Sequence, residues 1–377
     1  MTPADTTTAT EFSVTWPQAL AWRLERALLD PVGTQSVARV VQRLGAVPSM
    51  DEALAELAVR TRRQHSRSGE LAQALADGTV IKAFAFRGAV HHLSAQDGGV
   101  YLALRSAGRQ WELPSWVDYY GLTSDAWPDF RAAVRDSLTG GPLTVVELGA
   151  ALTGRTAYRH LAPIFDSDPW TLLKPLTWQG DMSFGAPRDG KATFQRLDTN
   201  RHWRGIPDLE DAGPRAITAY VGTYGPTTRD HLHHWLGQGL SAGRKRLDRW
   251  ITELGDDLVP VDVAGTAAFV RRGDADSLAA TVPSSSVRFL PGHDQWVMGV
   301  GTKDANVTPP ALRELVTRKA NPVIHGGVVT GTWALKGDTL TITWQGDGPR
   351  PDTAIEAEAT RLSHIIGRDL AVHVATC

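Results

Sequence analysis

Three times along the chain a helical stretch is followed by two short apolar strands joined by a turn, which restricts the architecture more than any other feature. The first pair runs Val80 to Phe86 and Ala89 to Leu93, around Arg87-Gly88. The second runs Met182 to Phe184 and Ala192 to Leu197, around a longer loop through Pro187, Arg188, Asp189 and Gly190. The third runs Leu258 to Val263 and Thr266 to Val270, around Ala264-Gly265. Each turn carries a glycine, the residue that takes a positive φ without steric cost. Helices followed by a two-stranded wing describe a winged helix, a helix-turn-helix variant that binds duplex DNA. Three in tandem predict a surface able to hold a long stretch of duplex.

The repetition extends to the letters. GPLTVVEL (Gly141 to Leu148) is echoed by GPTTRDHL (Gly225 to Leu232), 84 residues later, with Gly, Pro, Thr and Leu in register. In the first copy Thr144 can N-cap a helix and Glu147, three residues on, completes a capping box. The second copy offers Thr227 or Thr228 as the cap, with Asp230 or His231 in place of the glutamate. A spacing this long favours duplicated modules over a solenoid, whose periods are shorter.

A chain of 377 residues has room for two to four domains. Its 42% hydrophobic and 21% charged content is ordinary for a globular protein, and no apolar run approaches the ~18 residues of a membrane span. The opening MTPADTTTAT has no basic or apolar run, so residues 1–15 read as a frayed tail rather than a signal peptide. The one cysteine, Cys377, excludes an intrachain disulfide and fits a reducing cytosol. The expected location is therefore cytoplasmic, in association with the nucleoid.

A net charge of −2 hides local basic clusters. Arginine outnumbers lysine 32 to 7, a bias that a GC-rich genome also produces. Arg60, Arg63 and Arg67 fall opposite the apolar face of Leu54, Ala58 and Thr61, and Arg62 and His65 add to a segment with no acid before Glu70. Arg244, Lys245, Arg246 and Arg249 sit in the expected recognition helix of the third module, and Arg271 and Arg272 follow its wing. With Arg87 and Arg188 at the tips of the first two hairpins, these residues are the candidates for phosphate contact, weighed against plain solvation.

Helical patterns cover Gln18 to Leu29, Val37 to Arg43, Asp51 to about Arg63, and Gly69 to Ala76. The expected divisions are 16–139 for the N-terminal helices, first module and a Trp/Pro-rich connection, 140–212 for the second module, and 213–282 for the third. Residues 283–377 change character. Strands are expected at Val287 to Leu290, Trp296 to Val300, Val328 to Leu335 and Thr339 to Trp344. An amphipathic helix, Thr353 to Ile366, closes the chain with Ile355, Ala359, Leu362 and Ile366 on one stripe. The expectation is a small β-barrel or half-barrel with a terminal helix.

Several patterns could carry chemistry. His293 and Asp294 follow Pro291-Gly292 in a turn, where they could orient water or meet a phosphate, or where Asp294 could simply cap. His231 and His234 share a helix face, but zinc would need ligands the sequence does not place nearby. His91 and His92 lie in a strand and point opposite ways, one of them into the core. The thirteen tryptophans could stack on bases, though core and interdomain packing accounts for most scattered Trp. No P-loop, GxGxxG or GxSxG is present, which argues against nucleotide hydrolysis and serine-hydrolase chemistry.

Together these segments resemble the bacterial winged-helix DNA glycosylases of the AlkZ type. The resemblance runs through WRLERALL (Trp22 to Leu29), FAFRGAVHHLSAQD (Phe84 to Asp97), GPLTVVEL and LLKPLTWQGDMSFGAPR (Leu172 to Arg188). It continues through YGPTTRDHLHHWLG (Tyr224 to Gly237), FLPGHDQWVMG (Phe289 to Gly299) and VTGTW (Val329 to Trp333). It implies an α+β chain of three tandem winged helices and a C-terminal β domain, cradling double-stranded DNA as a monomer. It also implies hydrolysis of the N-glycosidic bond of bulky alkylated purines, for repair or self-resistance, with no metal or cofactor and without deep base flipping. The family signature is Gln-x-Gln or Gln-x-Asp after a Leu-Gly turn, positioning a water below the anomeric carbon. The matching stretch here is LGAVPSMDE (Leu44 to Glu52), where the expected polar positions are Pro48 and Met50. Neither can hold a water.

The substitutes within reach are Ser49, Asp51 and Glu52. Asp51 could act as base on water attacking an oxocarbenium-like centre, as carboxylates do in glycoside hydrolysis, or could cap the helix that starts there, with Glu52 in the first turn. An N7-alkylguanine leaves as a neutral base from a cationic one, so a placed water and a nearby negative charge suffice. The expectation is a glycosylase with Asp51 in the catalytic position. The alternative is a non-catalytic DNA-binding homologue, a damage sensor or regulator.

Overall fold

The computed structural model describes residues 12–239 and 241–376. Its strands are β1 (Phe12–Val14), β2 (Val47–Pro48), β3 (Val80–Phe84), β4 (Val90–Ser94), β5 (Leu143–Thr144), β6 (Met182–Phe184) and β7 (Thr193–Arg196). Then follow β8 (Leu258–Val263), β9 (Thr266–Arg271), β10 (Val287–Phe289), β11 (Asn321–His325), β12 (Val328–Lys336), β13 (Thr339–Trp344) and β14 (Ala371–Thr376).

All three predicted hairpins form, and each closes the same local sequence of elements. A short extended segment leads into a helix, another helix precedes the hairpin, and the hairpin comes last; the second unit inserts a short Ala162–Ser167 helix between the two. The helices are Glu52–Arg60 and Glu70–Ala76 in the first unit, Val145–Thr153 and Trp170–Trp178 in the second, and Arg229–Leu236 and Gly243–Glu253 in the third. The leading segment pairs each time with the second strand of the hairpin: β2 with β4, β5 with β7, and Thr227 with Phe269 of β9. The Gly-Pro echo has the same cause. Thr144 forms a capping box with Glu147, and Thr228 forms one in which the His231 ring replaces the carboxylate.

The first two hairpins do not stay apart. Lys82 pairs with Phe184, merging them into one six-stranded sheet in the order β2-β4-β3-β6-β7-β5. The apolar core is equally continuous, running from Leu20 through all three units to Val329. The third hairpin takes β1 as a parallel neighbour, Phe12 opposite Val261 and Val14 opposite Val263. Residues 12–14 are therefore a strand and not part of a frayed tail, because the open edge of β8 offers ladder partners. Residues 1–11 and Cys377 lie outside the described residues.

The C-terminal sheet runs β10-β11-β12-β13-β14. It is an open sheet and not a barrel, since β10 and β14 do not pair. The terminal helix, Asp352–Ile366, makes the crossover that lets β14 lie parallel to β13. Its Ile355, Ala359 and Leu362 bury against the sheet as the stripe predicts. β14 itself was absent from the sequence expectation. The strand expected at Trp296 to Val300 is instead a short helix, Gln295–Met298, because Asp294 caps it by accepting from the Trp296 N–H at 2.8 Å. No helix among the described residues is long and apolar enough to cross a membrane.

The two halves of the chain meet at the Glu52–Arg60 helix. Just past its end, Arg62 is fully buried and makes a two-pronged bond to Asp294, at 2.8 and 2.6 Å. Its remaining reach goes to the carbonyls of Ala27 at 3.1 Å and Ala58 at 2.7 Å. Removing one member of such a pair leaves a bare charge in the interior, which costs about 3–5 kcal/mol. Asp294→Ala should therefore lower the urea midpoint by an amount equivalent to that cost. A loss below about 1 kcal/mol, the value of an exposed pair, would show the clamp to be dispensable.

Candidate functional site

The first turn of the Glu52–Arg60 helix is placed by the sheet edge before it. Val47 and Pro48 pair with His92 and His91, and the Ser49 N–H donates to the Val90 carbonyl at 3.0 Å. The chain then leaves the sheet, exposes Met50 (62%), and enters the helix at Asp51. Side chains directly opposite in a sheet share a face, so the cross-strand register lines up Val47, His92, Lys82 and Phe184 in one row. The Glu52 side chain reaches back over that row.

There it collects three donors. Ser49 Oγ donates to Oε1 at 2.9 Å, Lys82 Nζ donates to the same oxygen, and His92 Nε2 lies 2.9 Å from Oε2. His92 is 1% exposed, whereas the Glu52 side chain is 57% exposed. Burial alone would push the Glu52 carboxyl up. The His92 hydrogen bond and charge, joined by Lys82, outweigh it and hold the group down at about 2. The result is a permanently ionised carboxylate at an open surface, with a hydroxyl at its side.

Asp51 has a different task. Its Oδ1 caps the helix through the Leu54 N–H at 3.2 Å, and its Oδ2 accepts from Lys319 Nζ at 2.8 Å. The Lys319 bond, opposed by partial burial, leaves its carboxyl below the ordinary range. Asp51 and Glu52 share no partner. Of the three expected substitutes, the structure joins Ser49 to Glu52 and gives Asp51 a cap and a bond to Lys319.

The expected basic helix face does not exist as drawn, because the helix ends at Arg60. Arg60 bonds the Ile365 carbonyl and Ser66 Oγ, tying down the terminal helix. Arg63 bonds the Gln35 carbonyl at 2.9 Å and pairs with Glu70. Arg62 is interior, and only Arg67 of this group is exposed. In the third unit Arg244 faces Asp230 at 3.4 Å, Arg246 bonds the Ala242 carbonyl, and Arg249 bridges Glu210 and Glu253. Lys245 is exposed with no carboxylate partner among the described residues. Arg188 pairs with Glu147. Arg87, in a left-handed conformation (φ 53°), lies over Trp235 at 5.8 Å.

Asp294 is 1% exposed and bound to Arg62, so it is not available to water or to a phosphate, and His293 stands in the turn without it. His91 is core, between Phe86 and Trp235, and burial pushes its ring down to about 4. His92 is buried as well, but on the Glu52 side. In the third unit His231 lies 3.2 Å from Asp304 and His233 lies 2.9 Å from Asp248. Among the described residues no three His, Cys, Asp or Glu converge as a metal site.

Sequence reasoning missed Lys82, Lys319 and Trp170, and placed His92 in a strand without linking it to Glu52. Lys82 carried a signal, being the lone polar residue in an otherwise apolar strand. Trp170 is the one markedly exposed tryptophan among the described residues, at 37%, and it stacks on Phe184 with 20° between the rings. It thus flanks the row at its Phe184 end, where the Lys82 ammonium sits 5.3 Å over the same Phe184 ring.

Residues 41–365 match a family model described as DNA glycosylase AlkZ-like. A Streptomyces sahachiroi protein described as an interstrand DNA cross-link repair glycosylase is 34% identical over 359 residues, spanning 93% of this chain and 96% of its own length. The solved structure of the Streptomyces sahachiroi DNA glycosylase AlkZ is similar with a TM-score of 0.90 at 33% identity, over 96% of this chain and 100% of that one. With the family model matched over most of its length and the fold shared with a solved member, this chain belongs to the AlkZ-like DNA glycosylase family.

Proposed function

We propose that the chain is a monofunctional DNA glycosylase that excises bulky alkylated purines from duplex DNA, with Glu52 as the carboxylate at the reacting centre. The observation that carries this reading is the Glu52 cluster itself: an exposed carboxylate held ionised by Lys82 and His92, with Ser49 beside it. It stands two residues beyond Met50, at the end of the stretch that matches the family signature. As the C1′–N9 bond of an N7-alkylpurine breaks, its electron pair leaves with the base and neutralises the positive charge there. Positive charge then builds on the deoxyribose, and a fixed carboxylate stabilises it. A carboxyl near 2 is a weak base, so Glu52 acts by charge and by orienting a water with Ser49. The water oxygen adds to C1′ and its proton passes to solvent, leaving an abasic site. His92 is a positioning residue for Glu52. The openness of Glu52 suits a lesion too large for a closed pocket, and a relative named for cross-link repair points to the same substrate class.

The three strand–helix–helix–hairpin units support a reading as tandem winged helices over 16–139, 140–212 and 213–282. Their second helices would then face the duplex, with Trp170 offered for stacking on a base and Lys245 for a phosphate. A second reading, a DNA-binding homologue without catalysis, is favoured by Pro48 and Met50 at the signature positions.

An end-labelled duplex carrying one N7-alkylguanine, treated with mild alkali after incubation, separates the two readings. The first expects a break at the lesion, reduced about 100-fold or more in Glu52→Gln, the scale of losing a main electrostatic contact. Asp51→Asn should leave the rate nearly unchanged, since Asn caps as well as Asp. Tight binding with no abasic product would establish the second reading. Because the ionised form of Glu52 is the active one, excision should fall only as pH approaches about 2. An acid limb near the ordinary glutamate value of about 4.3 would contradict the cluster's role. For the interface, Lys245→Ala should reduce the salt dependence of duplex affinity by about one unit of slope, and an unchanged slope would take that helix off the DNA.

A further inference from the structure

A second concave site lies away from Glu52. It is bounded by the Trp16–Arg26, Val37–Leu44 and Leu209–Tyr224 helices and the start of the Gly98–Ser106 helix, and it encloses about 770 Å³. None of Ser49, Glu52, Lys82 or His92 lines it. Arg26, Arg39, Arg43, Arg215 and Arg271 do.

The carboxylates around it do not balance these charges. Arg26 and Arg271 share one, Asp274, at 2.6 and 2.5 Å. Arg215 pairs with Asp211 at 2.8 Å. Arg39 bonds the Gln42 amide oxygen, and the Gln42 amide nitrogen in turn occupies Asp97. Arg43 has no hydrogen bond or ion pair for its guanidinium among the described residues. Five guanidinium groups thus face three carboxylates. Burial, and then the like charges of Arg26, Arg271 and Arg39, lower the Arg43 ionisation. Gly222 leaves room for this crowding: a Cβ there would stand 2.7 Å from the Arg271 guanidinium carbon, so the arginine head would have to shift.

We propose that this cavity is a binding site for a phosphoryl group, held chiefly by Arg43 with Arg39 and the Arg26–Arg271 pair. The two-charge excess matches a phosphate monoester, and forked guanidinium groups are the side chains best shaped to grip one. The volume lies in the range that holds a phosphate with an organic group attached, and Tyr101 and Leu254 supply apolar wall for it. A free phosphorylated small molecule presents that doubly charged monoester, and a DNA strand presents a singly charged diester that the same forked donors can grip.

The test uses the full chain and Arg43→Met, which keeps a long apolar side chain and removes the charge. Thermal melting is followed with inorganic phosphate and with a nucleoside monophosphate, against chloride at matched ionic strength, and duplex affinity is measured as a function of salt. In phosphate-free buffer Arg43→Met should melt no lower than the parent, because the change relieves repulsion. A rise in Tm with either phosphate compound in the parent, lost in Arg43→Met while duplex affinity is unchanged, supports the site with a free ligand. No rise, together with about tenfold weaker duplex binding and a slope smaller by about one in Arg43→Met, supports the site with a DNA phosphate. An equal rise in both proteins, or no rise and no change in duplex binding, overturns it. Because Glu52 plays no part in either readout, these outcomes stand apart from the fate of the glycosylase reading.

Discussion

The bond between Arg62 and Asp294 holds together two parts of the chain that are far apart in sequence, and the position of the Glu52 site depends on it. Arg62 ends the segment that Glu52 begins. Its guanidinium is sealed from water, so the pair is a constraint on geometry more than a source of net stability. Asp294 is doubly used, since the same carboxylate starts the Gln295–Met298 helix. The other end of the segment is tied by Asp51 to Lys319, and its side by Arg60 to the Ile365 carbonyl. The C-terminal sheet thus acts as a backing plate for the helix that carries Glu52.

The other half of the site comes from the six-stranded sheet. A helix-borne carboxylate alone would titrate near its ordinary value. Here it meets Lys82 and His92, adjacent in register on β3 and β4, and remains charged. The merging of the first two hairpins at Lys82 and Phe184 adds Trp170 to the same neighbourhood. A chain with Pro48 and Met50 at the expected polar positions still presents a fixed negative charge beside the buried Ser49 hydroxyl. For a cationic leaving group that is the main requirement.

Much of the local structure could be read directly from the letters. The hairpins, the Thr144 and Thr228 capping boxes and the stripe on the terminal helix depend on interactions within a few residues, which spacing reports well. The site was readable only in part. Ser49 and Glu52 could be named because they neighbour the signature, but choosing between Asp51 and Glu52 required knowing that Lys319 sits over one and that Lys82 and His92 sit over the other. The arginines misled for the same reason. Arg60, Arg62, Arg63 and Arg67 look alike in sequence, yet one is sealed in the interior, two are tied to carbonyls and acids, and one stands exposed at the surface. A charge takes its role from its partner, and partners such as Asp294, Ile365 and Glu210 lie tens or hundreds of residues away.

Local chemistry therefore settled which segments became helices and hairpins, because dihedral preference, capping and apolar period act over one or two turns of chain. Tertiary structure decided how they combined. It fused two hairpins into one sheet, left the C-terminal sheet open by sending its last strand through a helical crossover, and turned an expected tail into a strand on β8. It also decided which acidic residue meets Lys82 and His92 at the open surface and which caps the helix and meets Lys319. Those outcomes rest on burial and on long-range pairing, where the energy of a charged group is set by whatever the fold brings within about 3 Å of it.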